Sequence, residues 1–197
     1  LENTLACRLI GHATNVVCEG ELHQIHQRGF LELTEDEYFE IIEGKTAELC
    51  AISCQLGAHF AGAPAAVSTA MERYGRNLGM AFQIADDLLD LLGEERNTGK
   101  SLGTDVEQQK LTLPLIWLMQ HGSPDAVRSV ERVLSGAGTG KLEQLRSILE
   151  DSDAVSYARG QAEQFAAAAR AELRDIHESS AKDVLAQLTY LVVQRST

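Results

Sequence analysis

Phe82-Gln83-Ile84-Ala85-Asp86-Asp87-Leu88-Leu89-Asp90 is the stretch that decides the fold. It lies in a segment from about Ala65 to Leu92 whose apolar residues recur at helical spacing with no internal proline, so one long helix is expected there. On that helix Asp86 and Asp90 stand one turn apart on one face, and Gln83 precedes Asp86 and Asp87 by a turn. Like charges at this spacing weaken an isolated helix by about 0.2–0.5 kcal/mol. Three carboxylates set among Met80, Phe82, Ile84, Leu88, Leu89, Leu91 and Leu92 therefore suggest a cation from outside. Carboxylates on one rigid face suit Mg2+, a hard ion that takes oxygen ligands and bridges to substrate phosphates. The competing reading is a solvated acidic edge, and the flanking sequence must decide between the two.

Downstream, Gly93 to Ser101 is a polar loop ending in Gly99-Lys100-Ser101. It is not a P-loop, because Gly93 to Gly99 holds one residue too many and no strand precedes it. Gly136 to Lys141 misses the same pattern by one residue, and Leu142 follows where Ser or Thr is required. The chain continues through Gly103-Thr104-Asp105 to Lys110-Leu111-Thr112-Leu113-Pro114, where the proline can open a helix of Leu115 to Met119. Further helices are expected from Ser123 to about Leu134, from about Lys141 to Glu150, from Asp153 to about Glu178, and from Ser179 or Ser180 to about Val193.

Upstream, Gly62-Ala63-Pro64 breaks the chain. Thr34-Glu35-Asp36-Glu37 is a capping box opening a helix from about Glu35 to Phe60. Its expected buried stripe is Tyr38, Ile41, Ile42, Leu49, Ile52 and Leu56, with Lys45-Thr46 midway. A lone helical lysine is usually solvated, but this one has few basic neighbours and a hydroxyl beside it. A first helix spans Leu1 to about Gln27, with a polar cluster of Glu19, Glu21, His23, Gln24 and His26 near its end. His23 and His26 read as a surface pair, because no third ligand converges with them.

The length of 197 residues predicts one domain. Few prolines and abundant Ala, Leu, Glu and Gln predict an all-α fold. A net charge of −12 argues against general nucleic-acid binding, which needs a basic footprint. No run of about 18 apolar residues predicts a transmembrane helix, and the N-terminus lacks a signal-peptide layout. Cys7, Cys18, Cys50 and Cys54 fit no disulfide framework and read as reduced thiols, so a cytoplasmic location is expected. The chain opens in mid-pattern at Leu1 without a methionine, which suggests a fragment.

Taken together, five pieces in order resemble the C-terminal portion of the trans-isoprenyl (polyprenyl) diphosphate synthase family. They are Glu19-Gly20-Glu21 with Gln24; Lys45-Thr46-Ala47; Gly79 to Asp90; Gly99 to Asp105; and Lys110 to Pro114. The resemblance covers the whole chain and implies an isoprenoid-synthase-type helical bundle around a central cavity, here without its N-terminal helices. The family carries two aspartate-rich motifs, and Phe82-Gln83 before and Gly99-Lys100 after mark this one as the second. The first motif, its paired arginines and the residues that hold isopentenyl diphosphate are not in the chain, so the chain alone is expected to be inactive.

The resemblance implies Mg2+-dependent head-to-tail condensation of an allylic diphosphate with isopentenyl diphosphate, in a homodimeric parent. Asp86, Asp87 and Asp90 would hold Mg2+, with Asp105 acting through water. Lys45, Lys100 and Lys110 would pair with diphosphate oxygens. Thr46 and Gln83, with Lys45 the expected catalytic set, would stabilise the allylic cation as neutral dipoles. Two alternatives stand beside it: a non-catalytic partner subunit of a heteromeric prenyl synthase, and a class I terpene cyclase. The intact lysines and aspartates weigh against the first. Against the second, Asp86-Asp87-x-x-Asp90 followed by Gly99-Lys100 fits chain elongation better than the Asn-Ser-Glu type of motif that cyclases usually carry.

Overall fold

The computed structural model describes residues 4–93, 102–136 and 139–194. Every regular element among these residues is a helix. Helix α1 runs Thr4–His26, α2 Glu35–Ile42, α3 Glu48–Phe60, α4 Ala65–Leu92, α5 Thr104–Glu107 and α6 Leu113–His121. Helix α7 runs Pro124–Ser135, α8 Lys141–Glu150, α9 Ala154–Glu172 and α10 Ser180–Gln194. No described helix is long and apolar enough to cross a membrane.

The fold is organised on α4. It packs against α3, α9 and α10 along its length and against α2, α5, α6 and α8 toward its C-terminal end. Small residues make this possible. Ala154, Ala158, Ala162, Ala166 and Ala169 recur along one stripe of α9, and all are fully buried. Without long side chains between them, α9 and α4 can lie close, and the larger Ile84, Leu88 and Leu91 fill the core around α2, α6 and α8. A second, smaller core of Met71, Tyr74, Ala169 and Leu173 sits toward the N-terminal half of α4. The C-terminal carbonyls of α4 are met by Arg146, whose guanidinium donates to Leu91 O at 2.7 Å and to Gly93 O at 2.8 Å. A cation there also complements the negative end of the helix dipole.

Thr34 caps α2 as the sequence implies. Its hydroxyl accepts from the Glu37 N–H at 3.3 Å, and the Glu37 carboxylate accepts from the Thr34 N–H at 2.8 Å. Thr34→Ala should cost about 1 kcal/mol, measured by denaturant unfolding. The Thr34 N–H and hydroxyl hold the Glu37 carboxyl below its ordinary 4.5. A depressed acid contributes stability above its unfolded value and loses it as pH falls through the depressed one. Alanine keeps the N–H and loses only the hydroxyl's share, so the gap between parent and Thr34→Ala should be full at neutral pH and narrow in part in acid below 4.5.

Three expectations need correction. The helix expected from Glu35 to Phe60 is not one regular winding, because Glu43–Ala47 forms a π turn between α2 and α3. Its defining bond runs from the Glu48 N–H to Glu43 O, five residues back. The wide turn takes up an extra residue and rotates α3 relative to α2. Leu49, expected inside, is 55% exposed, whereas Glu48 is 6% exposed. Finally, α9 ends at Glu172 rather than near Glu178, because the chain turns to seat Leu173 and Ile176 in the second core. On α10, Val184, Leu188 and Leu191 form an exposed apolar stripe.

Candidate functional site

The wide turn and the C-terminal half of α4 face each other. Helices α1 and α4 each meet the turn at backbone contact. A Cβ on Gly20 of α1 would lie 2.6 Å from Lys45 N, and one on Gly79 of α4 would lie 2.6 Å from Ala47 Cα. Both glycines are thus required by close approach, and together they grip the turn that carries Lys45 and Thr46 from either side.

Across this contact runs a chain of hydrogen bonds. The Thr46 hydroxyl donates to Gln83 Oε1 at 2.8 Å. Gln83 Nε2 donates to Asp87 Oδ1 at 2.8 Å. The Tyr38 hydroxyl donates to Asp87 Oδ2 at 2.8 Å. The carboxylate fixes the Gln83 amide, because only its NH2 end can meet an acceptor. Gln83 and Asp87 are 9% and 7% exposed, so the chain runs through the interior. Both Asp87 oxygens accept from neutral donors. Burial, and then the nearby Asp105, push the Asp87 carboxyl up to about 7, against the pull of Gln83, Tyr38 and Lys45. Burial, and then Asp87, raise the Tyr38 phenol well above its ordinary value, so it remains a donor.

Asp90 faces the next segment. Its Oδ1 accepts from the Thr104 hydroxyl at 2.9 Å and the Thr104 N–H at 3.3 Å, and its Oδ2 accepts from the Asp105 N–H at 3.0 Å. Asp90 thus ties the first turn of α5 to α4. Asp105 pairs with Lys110 Nζ at 2.8 Å. Lys45 Nζ donates to Gln24 Oε1 on α1 at 2.8 Å. Lys100 lies outside the described residues. Of the residues singled out in the sequence, the structure joins Thr46, Gln83 and Asp87 directly. Lys45 and Asp105 lie within electrostatic reach of Asp87, and Asp86 is half-buried on the same helix.

Sequence reasoning missed Tyr38, which it counted only as part of a buried stripe. A tyrosine on an otherwise aliphatic stripe carries a hydroxyl that needs a buried partner, and that was the available signal. It also missed the second role of Asp90 as a cap for α5.

The donor set fits a hard divalent cation. Among the described residues no group of three His, Cys, Asp or Glu side chains is placed to hold a metal ion by itself. Mg2+ keeps several waters and takes one or two carboxylates plus phosphate oxygens, so it would have to use the lone pairs that Asp87 and Asp90 keep beside the hydrogen bonds they accept here. A buried carboxyl raised to about 7 is also the kind of group that a neighbouring cation would hold ionised.

The sequence model of the family described as polyprenyl synthetase matches residues 1–152. An octaprenyl diphosphate synthase of Haemophilus influenzae is 32% identical over 197 residues, covering 100% of this chain and 60% of that protein. A short chain isoprenyl diphosphate synthase of Methanothermobacter thermautotrophicus is 35% identical over 91% of this chain and 55% of its own length. Among solved structures, a polyprenyl synthase from Caulobacter crescentus, complexed with calcium and isoprenyl diphosphate, superposes with a TM-score of 0.93 at 32% identity. That match covers 99% of this chain and 60% of that one. The chain thus spans about 60% of the length of the relatives it matches.

Proposed function

The chain belongs to the polyprenyl synthetase family, and from that premise we propose that it forms the metal-and-diphosphate wall of a trans-prenyl diphosphate synthase. The reaction is head-to-tail condensation of an allylic diphosphate with isopentenyl diphosphate. The observation that carries this reading is the buried chain Thr46–Gln83–Asp87–Tyr38 at the turn bearing Lys45. The relative that was solved with calcium and isoprenyl diphosphate adds support.

Asp86, Asp87 and Asp90 would hold Mg2+, with Asp105 reached through water. When bound, Mg2+ supplies Lewis-acid stabilisation of the charge that develops on departing diphosphate. The chain's own residues do the rest. Lys45 and Lys110, and Lys100 as the resemblance implies, would supply positive charge for diphosphate oxygens, which is worth more in a dry site than in water. Lys45 is held in readiness by Gln24, a neutral partner that does not compete for its charge. Thr46 and Gln83 present oxygen dipoles whose direction is set by Asp87 and Tyr38. Neutral oxygens of this kind stabilise a passing cation without capturing it as a carboxylate would. Loss of the isopentenyl proton needs no protein base, because departed diphosphate can accept it.

The testing experiment is incorporation of labelled isopentenyl diphosphate into longer chains, in Mg2+, by a protein of the relatives' full length that carries this sequence. Product formation from geranyl or farnesyl diphosphate is expected. A folded protein that makes no product with any allylic primer would overturn the reading.

A further inference from the structure

Lys45 and Thr46 are aimed by a π turn, and something must hold that turn in its wide winding. Wide i to i−5 hydrogen bonding is poorly suited to do so alone, since ordinary α winding competes with it. The turn begins at Glu43, and Glu48 follows its last residue. The bond that defines it joins the backbones of these same two residues. Their side chains also meet. Arg76 Nη1 lies 2.9 Å from Glu43 Oε1 and 2.8 Å from Glu48 Oε2. The other side of the guanidinium is anchored on its own helix, with Nη2 and Nε donating to Glu72 Oε1 at 2.7 Å and 3.1 Å. The Glu48 side chain is only 8% exposed and the Glu43 side chain 47%, so the clamp reaches from interior to surface. Arg76 stands on α4 about two turns before Gln83, so it fixes the turn relative to the helix that carries the aspartates.

We infer that Arg76 is a positioning residue: by bridging Glu43 and Glu48 it holds the wide turn, and so the placing of Lys45 and Thr46 against Gln83. Its effect on ligand binding rests on the proposed function, in which this turn faces diphosphate. Its effect on the turn itself does not. A guanidinium is suited to the task because its planar fork reaches three carboxylates at fixed angles, which an ammonium cannot do. The alternative is that Arg76 merely neutralises the buried Glu48. In that case any cation of similar reach would serve.

Arg76→Lys separates the two. Amide hydrogen exchange and titration with inorganic diphosphate plus Mg2+ are measured on the chain, with folding checked by circular dichroism. The clamp predicts that the amides around Glu48 exchange about tenfold faster while those of α9 are unchanged. It also predicts that diphosphate affinity falls about tenfold. Parent-level exchange at the turn in folded Arg76→Lys would overturn it, as would faster exchange with unchanged affinity. If Arg76→Lys does not fold, Glu43→Gln removes only the half-exposed arm and carries the same expectations. If the parent chain binds no diphosphate, the proposed function fails, and exchange at the turn alone decides the clamp.

Discussion

Asp87→Asn is expected to lower the Mg2+-dependent affinity of the chain for inorganic diphosphate about a hundredfold, while its melting temperature stays unchanged or rises. The two effects part because, in the proposed site, the charge of Asp87 would serve the ligand, while its hydrogen bonds to Tyr38 and Gln83 need only its shape. An amide is cheaper to bury than a carboxylate that has no cation in contact. Asparagine keeps the shape, and Tyr38 and Gln83 can meet it by turning a hydroxyl and an amide. What is lost is negative charge beside the metal position. Removing a group that ligates or orients a metal typically costs 10–100-fold in affinity, and a buried charge belongs at the upper end. Calorimetric titration and thermal melts on the same samples check both halves. A large fall in melting temperature would show that Asp87 is structural. Unchanged affinity would remove it from the site.

Gly75→Ala should destabilise the chain by about 1–3 kcal/mol, the cost of overpacking a close contact. In a chain of 197 residues that is a fall of about 2–12 °C in melting temperature. The sign is the point. Glycine to alanine inside a helix ordinarily gains up to about 1 kcal/mol. At Gly75 the new methyl would lie 2.4 Å from Cys50 O and 2.9 Å from Ala51 Cα, where α4 crosses α3. Both obstacles are backbone, so the helices must part. Gly57→Ala is the control, because nothing stands within 4 Å of its Cβ position on α3. A melting temperature raised at Gly57 and lowered at Gly75 supports the close crossing. Stabilisation at both would refute it.

Much of this was legible in the sequence because it is local. The Thr34–Glu37 box, Pro64 before α4 and Ser123 before α7 each mark a helix start by chemistry confined to four residues, and each start stands as expected. The period of α4 was clear because its polar residues fall mostly on one side. What was not legible depends on partners distant in sequence. The π turn is set by Gly20, Gly79 and Arg76, which are about 25 to 35 positions from it, and the local sequence Glu43-Gly44-Lys45-Thr46 offers only one weak helix former, Gly44, against an ordinary helix. With the turn hidden, Leu49 was assigned to the wrong face. The end of α9 was misjudged for a similar reason, since burial of Leu173 and Ile176 outweighs a sequence that could continue as helix. In the site, spacing on one helix put three aspartates together, but it could not show that Asp87 turns inward to Tyr38 and Asp90 turns to α5.

The central claim is that α4 and the wide turn form one wall of a site for metal-bridged diphosphate. Titration of this chain with inorganic diphosphate, once in Mg2+ and once in chelator, tests it most directly. Binding is expected in Mg2+, with its loss in chelator and its loss again in Asp86→Ala with Mg2+ restored. Equal binding with and without Mg2+, or none in either by a chain that circular dichroism shows to be helical, would contradict it.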